Sequence, residues 1–128
     1  MALENVIGVD HIVVAARDLA GAARDWAALG FVVSPRGLHS GPLGTANHTI
    51  MFADDYVELL SPVVETEQNR PTRDFLARGD GVERVAFTTS DAEAGAAEIT
   101  ARGFPAIGPV HFGRPVPRPG GGEVEARF

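Results

Sequence analysis

A chain of 128 residues with 17 acidic and 11 basic side chains, four histidines and no cysteine has a net charge of −6 and enough length for one buried core. That balance argues against a nucleic-acid or anionic-membrane surface, which needs clustered cations, and no apolar run approaches the about 20 residues that span a bilayer. Without cysteine there are no disulfides and no thiolate metal ligands, and the opening MALENVIGVD has no basic leader, so the chain reads as cytoplasmic.

In chain order, Asp10–Ala16 is apolar and β-branched and predicts a buried strand. Asp18 is placed to cap a helix whose Leu19, Ala22, Ala23, Trp26 and Leu29 fall at helical spacing, with Gly30 as the left-handed exit. Phe31–Ser34 predicts a short strand and Arg36–Thr45, rich in Gly, His and Ser, a loop. Asn47–Ala53 and Tyr56–Ser61 alternate, and Asp54-Asp55 between them predicts a tight hairpin. Residues 62–80 are polar, with a short helix expected over Thr72–Arg78. Val82–Thr89 predicts a strand, and Ser90 with Glu93 matches a capping box for a helix reaching Arg102. A weak strand is expected over Ala106–Phe112. Next comes GRPVPRPGGG, whose composition excludes regular structure, and then a strand over Glu123–Phe128.

The stretch Gly8–Phe31 reappears without a gap at Gly81–Phe104, with seven of 24 positions identical. Each copy reads strand, acidic helix start, amphipathic helix and Gly-Phe exit. Such a repeat indicates two copies of one unit that cannot bury its apolar face alone. The elements count as βαβββ twice, with the last strand of the second copy missing. The boundaries fall at about 8–61 for module 1, 62–80 for the linker and 81–128 for module 2, within one domain over 1–128. The informative break in the repeat is His11, whose counterpart is Arg84.

GVDHIVVAARDL with its helix, NHTIMFADDYVELLSP and the duplication together resemble the glyoxalase/bleomycin-resistance/extradiol-dioxygenase superfamily, the vicinal oxygen chelate fold. The chain is most similar to the glyoxalase-like branch, in which a His/Gly-rich loop, here LHSGPLGTAN, precedes the third strand. The resemblance covers Gly8 to Phe128. It implies an α+β fold in which two βαβββ modules form a curved, open, barrel-like sheet around a cleft. Metal-dependent members hold a divalent ion through a His on the first strand and a Glu on the fourth strand of each module. In this sequence the first-module positions are His11 and Glu58; Arg84 stands at the second His position, and the strand for the last carboxylate would lie beyond Phe128. The superfamily includes isomerases, lyases, dioxygenases and drug-sequestering proteins, so the fold alone does not fix an activity. A homodimer with a small-molecule ligand, without nucleic acid or membrane, is the expected assembly.

An imidazole and a carboxylate are donors for Zn, Ni, Mn, Co or Fe, so His11 and Glu58 make a half site, with Glu58 also the candidate catalytic group. The other reading has His11 satisfied inside the core, with Glu58 as its hydrogen-bond partner or the ion-pair partner of Arg84. On a core strand Arg84 needs Glu58, another carboxylate or an anionic ligand, or else it faces solvent. Asn47, His48 and Tyr56 are the candidate substrate-binding residues. By strand parity Asn47 shares a face with Thr49 and Met51, and His48 with Ile50 and Phe52, so only one set looks into a cleft. His39 either closes over a ligand or stays solvated. Two functions follow. One is a divalent-metal-dependent enzyme of lyase, isomerase or dioxygenase type acting on a small oxygen-rich substrate. The other is a metal-free binding or sequestering protein, or the inactive N-terminal part of a larger enzyme.

Overall fold

The computed structural model of the chain describes residues 2–39, 41–111 and 113–127. The elements run β1 (Val6–Ala15), α1 (Leu19–Ala28), β2 (Gly37–Leu38), β3 (Thr45–Met51), β4 (Tyr56–Pro62), α2 (Arg70–Leu76), β5 (Gly81–Thr89), α3 (Ala92–Ala101), β6 (Gly113–Pro117) and β7 (Glu123–Arg127). Five strands form one curved, unclosed α+β sheet in the order β2-β3-β4-β1-β5, and β6 and β7 form a separate ribbon. No helix among the described residues is long and apolar enough to cross a membrane.

Local chemistry sets the element ends. The Asp18 carboxylate accepts the Gly21 N–H at 2.9 Å and starts α1; Gly30, at φ 99°, leaves it through the left-handed region. The hairpin between β3 and β4 closes where Phe52 N–H donates to the Asp55 carbonyl at 2.9 Å. Asp91, not Ser90, caps α3, its carboxylate accepting the Ala94 N–H at 3.0 Å. Asp91 is the repeat counterpart of Asp18, so the two helices start alike, whereas the Ser90 N–H is taken up by the Asn5 carbonyl.

Four expectations are corrected. Residues 31–34 form no strand: Ser34 meets Thr49 through one backbone bond and its hydroxyl, and Pro35 offers no N–H to continue a ladder. Pairing with β3 instead comes from Gly37–Leu38, inside the expected loop. Residues 106–111 carry no strand, while β6 lies within the proline-rich stretch expected to be irregular. Arg118 N–H donates to Gly122 O at 2.9 Å, so Pro115 and Pro117, opposite Glu125 and Glu123, fall at the non-hydrogen-bonded pairs, where a missing N–H costs nothing. Phe112 and Phe128, which end two of the expected strands, lie outside the described residues.

Two compact units make up the chain, one spanning Val9–Phe87 and the other the described residues of 2–8 and 88–127. In the first, β1 and β4 run parallel with Val13 beside Glu58, and β3 and β4 run antiparallel with Thr49 beside Glu58. One sheet face carries Ala46, Ile50 and Leu59, which bury with Leu19 of α1 and against Val14, Ala22, Trp26, Val33 and Val57. Ile50 and Leu59 are essentially sealed from water, each contributing about 1.5–3 kcal/mol of burial. The period of two therefore directs Thr45, Asn47, Thr49, Tyr56, Glu58, His11 and Val13 to the face opposite α1. In the second unit the Glu98 carboxylate of α3 accepts the N–H groups of Glu4 and Asn5 at 3.0 and 3.1 Å, and the Thr89 hydroxyl donates to the Asn5 carbonyl at 2.7 Å.

Candidate functional site

Four neighbouring side chains on the face opposite α1 lie around Glu58, whose residue is only 8% exposed. Asn47, diagonal to it across β3 and β4, donates from Nδ2 to Glu58 Oε1 at 2.7 Å. His11 Nε2 lies 3.7 Å from Glu58 Oε2. The His11 ring stacks on Tyr56, its direct register partner, with centroids 4.5 Å apart and planes 15° apart. On its other side the His11 Nδ1 is 2.6 Å from Asp10 Oδ2.

The fourth side chain is His39, which the sequence left as a loop residue. Gly37 and Leu38 pair with Asn47 and Ala46, and the pairing runs on by one step because His39 N–H donates to Thr45 O at 2.9 Å. Parity then sends His39 to the same face as Thr45 and Asn47. Its Nδ1 is 2.8 Å from the Thr45 hydroxyl, and its Nε2 is 3.6 Å from Glu58 Oε1 and 3.4 Å from Asn47 Nδ2. The signal was present in the sequence as His39 and Thr45 flanking a short Gly-Pro-Leu-Gly turn, although a strand of two residues is below what alternation reveals.

That turn is held from beneath by Asn69, 3% exposed, whose Nδ2 donates to the carbonyls of Leu43 at 2.8 Å, Val64 at 2.7 Å and Gly44 at 3.3 Å. Gly44 sits at φ +57°, and a Cβ there would meet the Val64 carbonyl at 2.5 Å, so the turn admits only glycine at this point.

Two of the expected site residues lie elsewhere. His48 is on the α1 face, with Ala46 and Ile50, and its Nδ1 is 2.8 Å from the Ser34 carbonyl, so it binds the segment after α1 and does not line the Glu58 face. Arg84 does not join Glu58. Its Nε lies 3.1 Å from Glu83 Oε2 and its side chain is half exposed. Glu83 is buried, with Oε1 accepting from the Thr72 hydroxyl at 2.8 Å; Oε2 makes no hydrogen bond, so Arg84 compensates it by charge and not by a well-aligned N–H. Of the alternatives for Arg84, another carboxylate is the one found.

The protonation logic of His11 gives the site its chemistry. A carboxylate only accepts, so at 2.6 Å the Nδ1 carries the hydrogen toward Asp10. In the neutral ring Nε2 then presents a lone pair to the lone pairs of Glu58 Oε2 at 3.7 Å. Two acceptors facing each other at this distance can be bridged by a proton on Nε2, by a water donating to both, or by a metal ion. The spacing suits two donors sharing a cation at about 2.0–2.2 Å each. The Asp10 contact is also the kind of outer partner that fixes a ligating imidazole. His11 and Glu58 thus fit two positions of a divalent ion's shell. Among the described residues no group of three or more His, Cys, Asp or Glu side chains is arranged to hold a metal ion.

A family model described as a glyoxalase-like domain matches residues 9–128. No curated protein sequence matches the chain. Among solved structures the chain is similar to a methylmalonyl-CoA epimerase in complex with methylmalonyl-CoA and NH4+, at TM-score 0.63 and 27% identity over 77% of this chain and 71% of that one. It is equally similar to a variant of the Streptomyces coelicolor methylmalonyl-CoA epimerase in complex with 2-nitronate-propionyl-CoA, at TM-score 0.63 and 27% identity over 77% and 71% of the two chains. The Mycobacterium tuberculosis methylmalonyl-CoA epimerase matches at TM-score 0.64 and 19% identity over 100% of this chain and 83% of that one, a likeness of fold alone.

Proposed function

Since this chain belongs to the glyoxalase-like domain family, we propose that the His11–Glu58 face is a proton-transfer site for a small acyl substrate, working with a divalent ion held in part by His11 Nε2 and Glu58 Oε2. The observation that carries this reading is the pair of acceptors held face to face at 3.7 Å with the His11 tautomer fixed by Asp10. When bound, the ion would supply a Lewis acid that stabilises negative charge developing on a substrate carbonyl oxygen.

The chain's own residues have separable tasks. Asp10 and the Tyr56 ring fix His11 in position and orientation. Asn47 pins Oε1 of Glu58, so the carboxylate cannot rotate freely and its Oε2 stays directed at His11. Glu58 is the buried carboxylate on this face, and Oε2, the oxygen that Asn47 leaves unbound, would take the proton from the carbon next to the carbonyl and return it to that carbon. His39 and Asn47 flank Oε1 of the same carboxylate, at 3.6 and 2.7 Å.

The 27% identical epimerase structures make an acyl thioester with an acidic α-proton the first substrate to test. With the protein and a divalent salt in D2O, deuterium should enter C2 of methylmalonyl-CoA faster than in buffer alone, and Glu58→Ala should abolish the difference. Exchange at the buffer rate would move the assignment to the second reading, a metal-free binding protein. That reading is favoured by the absence of a third donor among the described residues and by Arg84 at the position of the second-module His.

A further inference from the structure

Strands β1 and β4 end side by side, Ala16 N–H donating to Leu60 O at 2.9 Å, and beyond their ends a groove of about 410 Å³ opens against α2. Its walls combine apolar surface from Val63, Val64 and Leu76 with two guanidinium groups, Arg17 and Arg73. Ser61 on its rim stands three positions past Glu58 on β4, roughly 10 Å away at about 3.3 Å per residue, so the groove is distinct from the face described above.

The two arginines are held differently from ordinary surface cations. Arg73 is fixed by Nε on Asn69 Oδ1 at 3.0 Å and by Nη2 on the Thr66 carbonyl at 3.1 Å. Among the described residues its Nη1 meets Glu65 alone, at a loose 3.6 Å, and the Glu65 side chain is 83% exposed. Arg17 is anchored by Nε and its backbone N–H on a single oxygen of Asp80, at 2.7 and 3.3 Å, with no hydrogen bond on its two terminal amino groups among the described residues. In a chain of net charge −6, this places two oriented guanidinium groups over an apolar floor, Arg17 paired through Nε with Asp80 and Arg73 with the loosely placed, exposed Glu65.

We propose that this groove is a binding site for a small molecule carrying an anionic oxygen group, a phosphate or carboxylate, on a short apolar body, and that Glu65 occupies the anion's place when the groove is empty. The volume falls within the 300–1,000 Å³ common for small-molecule sites, and a planar guanidinium suits such an anion. An exposed ion pair of the Arg73–Glu65 kind is weak enough for a ligand to displace. The site does not depend on the reading of the Glu58 face.

The test uses hexyl phosphate titrated into the full chain, read by amide chemical shifts of Val63, Val64 and Leu76. Saturable shifts are expected there. Arg17→Gln should weaken binding about tenfold, the effect of losing one charge-assisted hydrogen bond. Glu65→Gln should tighten it about two- to fivefold, because the internal competitor is gone. Both side chains are largely exposed, so both variants should fold, which their unperturbed amide spectra elsewhere would verify. No shifts at millimolar hexyl phosphate would overturn the proposal. So would hexanol binding as tightly, or Glu65→Gln failing to tighten.

Discussion

Replacing Asn69 by Ala removes one side chain on which both the turn before β3 and the 64–66 segment leading into α2 depend. Its Nδ2 serves the Leu43, Gly44 and Val64 carbonyls, and its Oδ1 accepts from Thr66 N at 3.2 Å and Arg73 Nε at 3.0 Å. Two N–H donors cannot fully satisfy three acceptors, so the Gly44 contact at 3.3 Å counts least. Four good bonds at about 0.5–1.5 kcal/mol each bound the loss from above, since water enters the vacated space and partly replaces them. The expected destabilisation is about 2–4 kcal/mol, read by urea denaturation followed through Trp26, which packs against the core of this unit. The variant should also free the 41–44 turn, broadening the His39 ring signals in NMR spectra of the folded protein. A stability change under about 0.5 kcal/mol with His39 unchanged would refute the view that Asn69 carries the turn.

Other expectations concern the core and the second unit. Leu59→Ala opens a cavity beneath Ala46 and Ile50 and should cost about 2–5 kcal/mol by the same urea measurement; a loss below about 1 kcal/mol would contradict the core assignment. The backbone N–H of Glu4, then that of Asn5, holds the Glu98 carboxyl below its ordinary 4.5. A depressed folded-state value means the stabilisation is fully present above pH 4.5 and fades as pH falls through the lower folded value. Protection of the Glu4 and Asn5 amides from exchange should therefore drop below pH 4.5 in the native chain and be low and pH-independent in Glu98→Gln. Identical profiles would remove Glu98 as the cause.

How far the sequence reached follows from the physics of each element. The strands β1, β3, β4 and β5 and the helices α1 and α3 were legible because burial on one face imposes a period, and the duplication of Gly8–Phe31 fixed their order. Parity alone could say that Asn47 and His48 face opposite ways; choosing between them took the packing of α1 on Ile50 and Leu59. β2 stayed hidden because two residues cannot show alternation, and His39 was hidden with it. β6 stayed hidden because composition counts prolines without knowing which N–H groups the ribbon needs. Arg84 was unreadable for a further reason: the buried carboxylate it accompanies is its own neighbour, Glu83, which any pattern of alternating strand faces assigns to the other side.

The most direct test of the His11–Glu58 account is the metal content, by elemental analysis, of the protein purified without chelator and then equilibrated with Zn, Ni, Mn, Co or Fe(II), with His11→Ala and Glu58→Ala in parallel. The account predicts about one equivalent of one of these metals in the native chain and its loss in both variants. A native chain that takes up none of the five, or variants that retain the full equivalent, would contradict it.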